Sequence, residues 1–264
     1  MGAWAREVPE YAIALARSFW PGPMTLILKR SELAGDFITG GQDTVGVRVP
    51  NHIVALALLE AFERSGGMGV AAPSANRFGH VSPTTATAVI DELGDYLSKD
   101  DLVLDGGACE VGVESTIIDC TGAAPTVLRP GAISKRMIQN CTGLPVTANT
   151  SGIRVSGSLE NHYAPNAKVY LDQIPLIGQG FLALDEIKTP PGVIRLAAPK
   201  SNTEFAQVLY ASFREADSRG LTEVVVVQPT GQEISIAIRD RLNRAANKAV
   251  RDEVNYNFVN GEAD

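Results

Sequence analysis

Histidine and cysteine are scarce in this chain, with three of each among 264 residues. His52, His80 and His162 are scattered, and Cys109, Cys120 and Cys141 lack metal-ligand spacing, which argues against a zinc site built by the protein alone. Three is also an odd count, and the simplest expectation is reduced, partly buried thiols in a cytoplasmic protein. No apolar run approaches a membrane span, and the N-terminal residues show no signal-peptide pattern. Positive charge is in deficit: 23 Lys and Arg face 30 Asp and Glu, a formal net charge of −7. A broad non-specific nucleic-acid surface needs the opposite balance, although single arginines can still concentrate positive charge in a cleft. Neither a Ser-His-Asp set nor a Cys-His pair is in evidence.

Against those absences stands a composition that is 45% hydrophobic and 20% charged, as in ordinary globular proteins. The length suits one large or two ordinary domains. Helical spacing of Ala12, Ile13, Ala16 and Phe19 predicts a helix closed by Trp20-Pro21. Strands are expected at Met24–Leu28 and Thr44–Val49, then a helix capped by Asn51 and stopped at Gly66-Gly67. Met68–Ala72 reads as a short buried strand ended by Pro73, and Ser82-Pro83 as the start of a helix running to Leu93-Gly94. Further strands are expected at Leu102–Leu104, Ser115–Cys120 and Thr126–Leu128, with a helix at Ile133–Asn140. The rhythm is not strictly βαβ, so a mixed sheet is predicted.

From Thr142 to Asn166 the composition shifts to Gly, Ser, Thr, Asn and Pro, the pattern of a linker. A second α/β unit follows, with strands at Lys168–Leu171, Gly180–Leu184, Val193–Leu196 and Glu223–Val227 and helices at Thr203–Ala216 and Ile234–Lys248. The charged run Arg239–Arg244 reads as a solvated helix face. The resulting division is 1–141, a linker at 142–167, and 168–264.

Two clusters of small residues with polar side chains carry the functional signal: Ala71-Ala72-Pro73-Ser74-Ala75-Asn76 and Gly112-Val113-Glu114-Ser115-Thr116. Small residues let backbone amides and short polar groups approach a ligand closely, as nucleotide and anion sites require. Around them stand Trp20-Pro21-Gly22-Pro23-Met24-Thr25, Thr44-Val45-Gly46-Val47-Arg48-Val49-Pro50, Ser82-Pro83-Thr84, Asp105-Gly106-Gly107 and Leu128-Arg129-Pro130-Gly131. In this order they resemble the Sua5/YrdC family, the threonylcarbamoyl-AMP synthases of tRNA modification. Ser156-Gly157-Ser158-Leu159-Glu160-Asn161-His162-Tyr163-Ala164-Pro165 is similar to the linker of the two-domain Sua5 type.

The resemblance implies a YrdC-like twisted, mixed open sheet with helices, a linker, and a small Rossmann-like α/β Sua5 domain. It implies a nucleotidyltransferase that joins L-threonine, bicarbonate and ATP into threonylcarbamoyl-adenylate and pyrophosphate, with Mg2+ accompanying ATP. The product would pass to a tRNA-modifying transferase complex, and direct tRNA binding is not expected. Thr44, Ser74, Asn76, Ser82, Arg129 and Tyr163 match ATP-binding positions; Arg48, Ala72 and Ser115 match threonine-binding ones. No residue is assigned as a general acid, base or metal ligand. Family members also carry an earlier segment with a Lys-x-Arg loop that is not found in the first twenty residues here, so an inactive truncated homologue and an RNA-binding or regulatory module stay open.

Each role has a plainer counterpart. Arg48 suits the planar fork a carboxylate requires, or a strand-end salt bridge. Ser82 explains itself as an N-cap, and Ser115 as a strand start. Tyr163 is either a lid over the nucleotide or a packing anchor. Arg77 and His80 are further candidates for phosphate contact.

Overall fold

Pro9 supplies an extended residue ahead of helix α1 (Glu10–Phe19), whose Ala12 and Leu15 are fully buried. The structure, a computed structural model, describes residues 1–77, 79–148, 152–157 and 164–259, with side chains to residue 247. Beyond α1 come β1 (Met24–Lys29), the short α2 (Asp36–Thr39), β2 (Thr44–Val47), α3 (Ile53–Arg64) and α4 (Ala86–Leu93). They are followed by β3 (Thr116–Asp119), β4 (Thr126–Arg129), α5 (Lys135–Thr142) and β5 (Thr147–Ala148). The remainder holds β6 (Lys168–Leu171), β7 (Gly180–Leu182), β8 (Ile194–Ala197), α6 (Asn202–Ser218), β9 (Glu223–Val226) and α7 (Ile234–Val259).

Two sheets result, in two units. The first unit, residues 1–73 and 113–158, carries a five-stranded sheet in the order β2-β1-β3-β4-β5. Its β1/β2 and β3/β4 pairs are antiparallel and its β1/β3 and β4/β5 pairs parallel, so the sheet is mixed as predicted. The second unit, residues 74–112 and 159–264, carries an all-parallel sheet in the order β6-β9-β7-β8.

Period-two alternation gives the first sheet two unlike faces. Met24, Leu26, Leu28, Val45, Ile118, Cys120 and Val127 pack with Ala12 and Leu15 of α1 and Ile138 of α5 in one core. Complete burial of side chains such as Leu15, Leu26 and Ile118 stabilises the fold by roughly 1.5–3 kcal/mol each. The other face carries Thr25, Ile27, Gly46 and Ile117, and there Ile153 and Val155 cover only Ile27, Ile117 and Leu128. In the second unit, Val224, Val225 and Val226 of β9 are buried as a parallel strand requires, while Val227, expected in the same strand, lies just past it and is half-buried.

Several expectations fail for identifiable reasons. Met68–Ala72 forms no strand and is exposed; an apolar run without a ladder partner stays irregular, held here by Trp4 Nε1 donating to the Met68 carbonyl. Leu102–Leu104 is likewise unpaired, with Leu102 85% exposed. His52, not Asn51, occupies the cap position of α3 and makes no side-chain cap bond. Thr85, not Ser82, caps α4: its backbone is extended and its Oγ1 accepts the Ala88 N–H at 3.2 Å. The Ser-Pro pair therefore lies outside the helix. Arg241 is fully buried and pairs with Asp240 at 2.6 Å, so the Arg239–Arg244 run is a solvated face only in part. Cys109 is exposed, Cys141 partly buried and Cys120 buried. The short β5 falls inside the expected linker because Thr147 and Ala148 pair with β4. Tyr163 and His162 lie outside the described residues.

Candidate functional site

Polar residues singled out on the first unit gather on the sheet face opposite the α1/α5 core. Thr44 opens β2, and the alternation that gives Gly46 to this face continues to Arg48 just past the strand. Thr25 lies on the same face of β1 and is registered with Ile117 of β3, which in turn faces Arg129 of β4. Ser115, two residues before Ile117, completes the set. Four neighbouring strands thus present Arg48, Thr25, Ser115 and Arg129 to one side.

Hydrogen bonds tie this set together. Thr25 Oγ1 and Ser115 Oγ are 2.9 Å apart. Arg129 donates from Nε and Nη2 to the Ser115 carbonyl at 3.1 and 3.0 Å, and from Nη2 to Ser115 Oγ at 3.1 Å. Its Nη1 reaches the Ser156 carbonyl at 2.9 Å. Arg129 and Ser115 are buried, at 6% and 5% exposure, so these charge-assisted bonds form away from water where they are strong. Because Arg129 donates to Ser115 Oγ, the serine hydrogen is left for Thr25 or for a ligand.

Two neighbours hold that geometry. Thr116 Oγ1 donates to the Ile133 carbonyl at 2.9 Å and accepts its N–H at 3.0 Å, pinning the turn after β4. Gly131 sits in that turn with no room for a side chain: an added Cβ would lie 2.4 Å from Thr116 N. Arg48 is exposed and donates from Nε to the Gly22 carbonyl at 3.1 Å, which ties the Pro21-Gly22-Pro23 turn to the end of β2. Ala72 also belongs to this unit and is exposed.

Ser74, Asn76 and Ser82 belong to the second unit. Ser74 is exposed, while Asn76 and Ser82 are half-buried. Asn76 Nδ2 donates to the carbonyls of Arg77 at 2.8 Å and His80 at 3.2 Å, closing the turn. Its Oδ1 is buried with no protein partner. Glu92 on α4, with only 7% of its side chain exposed, lies beneath the turn. Burial alone would raise its pKa, but hydrogen bonds from the Arg77 side chain and backbone and from Arg214, with His80 nearby, hold it below the usual carboxylate value.

Sequence reasoning missed Thr25, Glu92 and Arg214. Thr25 stands inside a motif already singled out, and its distance from the other candidates along the chain hid its hydroxyl pairing. Glu92 reads as an ordinary helix carboxylate, and nothing in its local sequence announces burial. Among the described residues no group of three or more His, Cys, Asp or Glu side chains is placed to hold a metal ion.

A mixed sheet in one unit and a parallel sheet with helices in the other define a two-unit α/β protein. Residues 1–131 match the Sua5, YciO and YrdC family described as telomere recombination, and residues 133–247 match the threonylcarbamoyl-AMP synthase C-terminal domain. The chain belongs to the Sua5 family of threonylcarbamoyl-AMP synthases. It is 34% identical to the threonylcarbamoyl-AMP synthase of Pyrococcus abyssi, covering 92% of this chain and 75% of that protein. The Bacillus subtilis and Schizosaccharomyces pombe proteins of the same name are 32% and 30% identical, each over 90% of this chain and 73% and 67% of theirs. The crystal structure of Pyrococcus abyssi Sua5 complexed with L-threonine superposes with a TM-score of 0.78 at 31% identity, over 93% of this chain and 76% of that one.

Proposed function

We propose that this chain is a threonylcarbamoyl-AMP synthase. The amine of L-threonine and bicarbonate form a carbamate with loss of water. A carbamate oxygen then attacks the α-phosphate of ATP and expels pyrophosphate, leaving threonylcarbamoyl-adenylate. Such a reaction asks for alignment and charge neutralisation more than for a strong acid or base. The hydrogen-bonded network of half-buried Thr25 with buried Ser115 and Arg129, flanked by Arg48 on the same sheet face, is the observation that carries this reading.

In this reading Arg48 takes the threonine carboxylate with a planar fork, and Ser115 with the Ala72 backbone holds the rest of the amino acid. Thr44, Ser74, Asn76, Ser82 and Arg129 take ATP, with Tyr163 of the linker as a further contact. Arg129 also orients the carbonyl and hydroxyl of Ser115. Asn76 Oδ1 is a ready acceptor for a nucleotide donor. We assign Mg2+ to the ATP phosphates and route no step through a protein-held ion. The adenylate then goes to a transferase that modifies tRNA.

Purified protein supplied with L-threonine, bicarbonate and ATP should release pyrophosphate only when all three are present. Release that ignores threonine would refute the assignment.

A further inference from the structure

The turn bearing Asn76 has no strand to hold it, since residues 68–72 are unpaired and α4 begins only at Ala86. It is held instead from helix α6. Glu92 Oε1 accepts from Arg77 N and Arg77 Nε, both at 3.2 Å, and lies 3.2 Å from His80 Nδ1. Glu92 Oε2 pairs with Arg214 Nη1 of α6 at 3.2 Å, and Arg214 Nη2 donates to the Val81 carbonyl. One guanidinium therefore grips both the carboxylate under the turn and the backbone that leads out of it. The same helix supports the segment that leads to Ser115: Gln207 Nε2 donates to the Glu110 carbonyl at 2.6 Å. Gly112, at a φ of +79°, lies so near that an added Cβ would meet the Ala206 carbonyl at 2.2 Å. Asn76, Arg77, His80, Val81, Glu92, Glu110, Gly112 and the α6 residues all belong to the second unit.

We infer that Arg214 and Glu92 are positioning residues for nucleotide binding, holding the Asn76 turn in place from α6. The inference rests on the proposed ATP role of Asn76. A side chain from the C-terminal domain thereby sets the geometry of a turn from the catalytic part of the sequence, with no chemistry of its own. Asn76 cannot be rotated by half a turn without losing both of its carbonyl partners, so its free Oδ1 keeps its direction only while the carbonyls of Arg77 and His80 stay fixed. Glu92 fixes the first through the Arg77 amide, and Arg214 anchors the chain one residue beyond the second.

The test compares the wild type, Arg214→Gln, Arg214→Lys and Glu92→Gln in the full chain. Hydrogen exchange at Arg77, Gly79, His80 and Val81 reports the turn without any ligand, and calorimetry reports ATP and L-threonine binding separately. Arg214→Gln and Glu92→Gln should each speed exchange at these amides about tenfold and weaken ATP binding about tenfold, leaving threonine affinity within twofold. Arg214→Lys should fall between, because an ammonium cannot bridge Glu92 and Val81 as a fork does. A variant combining Arg214→Gln with Glu92→Gln should lose no more than the worse single one, since both act through one contact. Unchanged turn exchange in both Arg214→Gln and Glu92→Gln overturns the inference. So does faster exchange with ATP affinity intact. A wild type that binds threonine but not ATP overturns the ATP role itself, and the positioning role with it.

Discussion

Arg129 holds Ser115 at both ends, reaching its carbonyl from Nε and Nη2 at 3.1 and 3.0 Å and its hydroxyl from Nη2 at 3.1 Å. A buried hydroxyl fixed in this way is oriented before any ligand arrives, which reduces the ordering that binding must impose. Arg129→Lys keeps the charge but loses the fork, so threonine affinity should fall at least about tenfold, near 1.4 kcal/mol. Ser115→Ala should lose a similar amount while the sheet stays folded, which circular dichroism would confirm.

Arg48 separates the two substrates. It is exposed at the end of β2, where its Nε donates to the Gly22 carbonyl. Arg48→Lys should raise the KM for threonine roughly tenfold or more and leave the KM for ATP within about twofold, because only the carboxylate needs the planar fork. Equal loss for both substrates would remove Arg48 from the threonine site.

The C-terminal unit depends on a different arginine. Arg195 donates to the carbonyls of Ala183, Leu184, Ile187 and Ala197 at 2.6, 2.9, 2.8 and 2.7 Å, and its guanidinium lies over the Phe181 ring. Lysine has neither the reach nor the donor count to replace it. Arg195→Lys should destabilise the protein by about 2 kcal/mol or more in urea. A change under about 0.5 kcal/mol would show that these carbonyls find other partners.

Glu92 predicts a pH signature. Its folded pKa lies below the ordinary 4.5, so its contribution to stability is complete above that value and disappears as pH falls through the lower folded value. The partners facing it are Arg77, His80 and Arg214. Wild type should exceed Glu92→Gln in stability near neutral pH, and the difference should close in acid below pH 4.5. A difference independent of pH would rule out a charged Glu92 as its source.

Cys120 is 1% exposed, and burial, with Asp119 beside it, pushes its thiol well above the usual range. An alkylating reagent near neutral pH should modify exposed Cys109 readily and Cys120 only after unfolding. Modification of Cys120 in the native protein would contradict the packing described for the α1/α5 face.

What was legible in the sequence follows from how local each signal is. Strand β9 shows itself in consecutive valines, and α1 in a single apolar stripe, because a few neighbours in sequence decide their burial. Met68–Ala72 has the same local pattern but no strand to pair with, and a missing partner leaves no trace in five residues. Thr85 displaced Ser82 as the cap of α4 because the choice depends on which hydroxyl meets an amide, not on the Ser-Pro pair. In the site, Ser115 and Arg129 were legible as motif members, whereas their mutual grip comes from the pairing of β3 with β4 and the Thr25 hydroxyl arrives by strand register from ninety residues away. Arg214 lies further still from the turn it holds, on a helix whose sequence reads as ordinary amphipathic structure.

The most direct test follows carbon from bicarbonate. With isotopically labelled bicarbonate, L-threonine and ATP, the wild type should yield an adenylate carrying the label in a threonylcarbamoyl group, and Ser115→Ala should reduce its formation at least about tenfold. Label-free adenylate, or labelled product formed equally by Ser115→Ala, would contradict the account of this sheet face as the site of threonylcarbamoyl-adenylate synthesis.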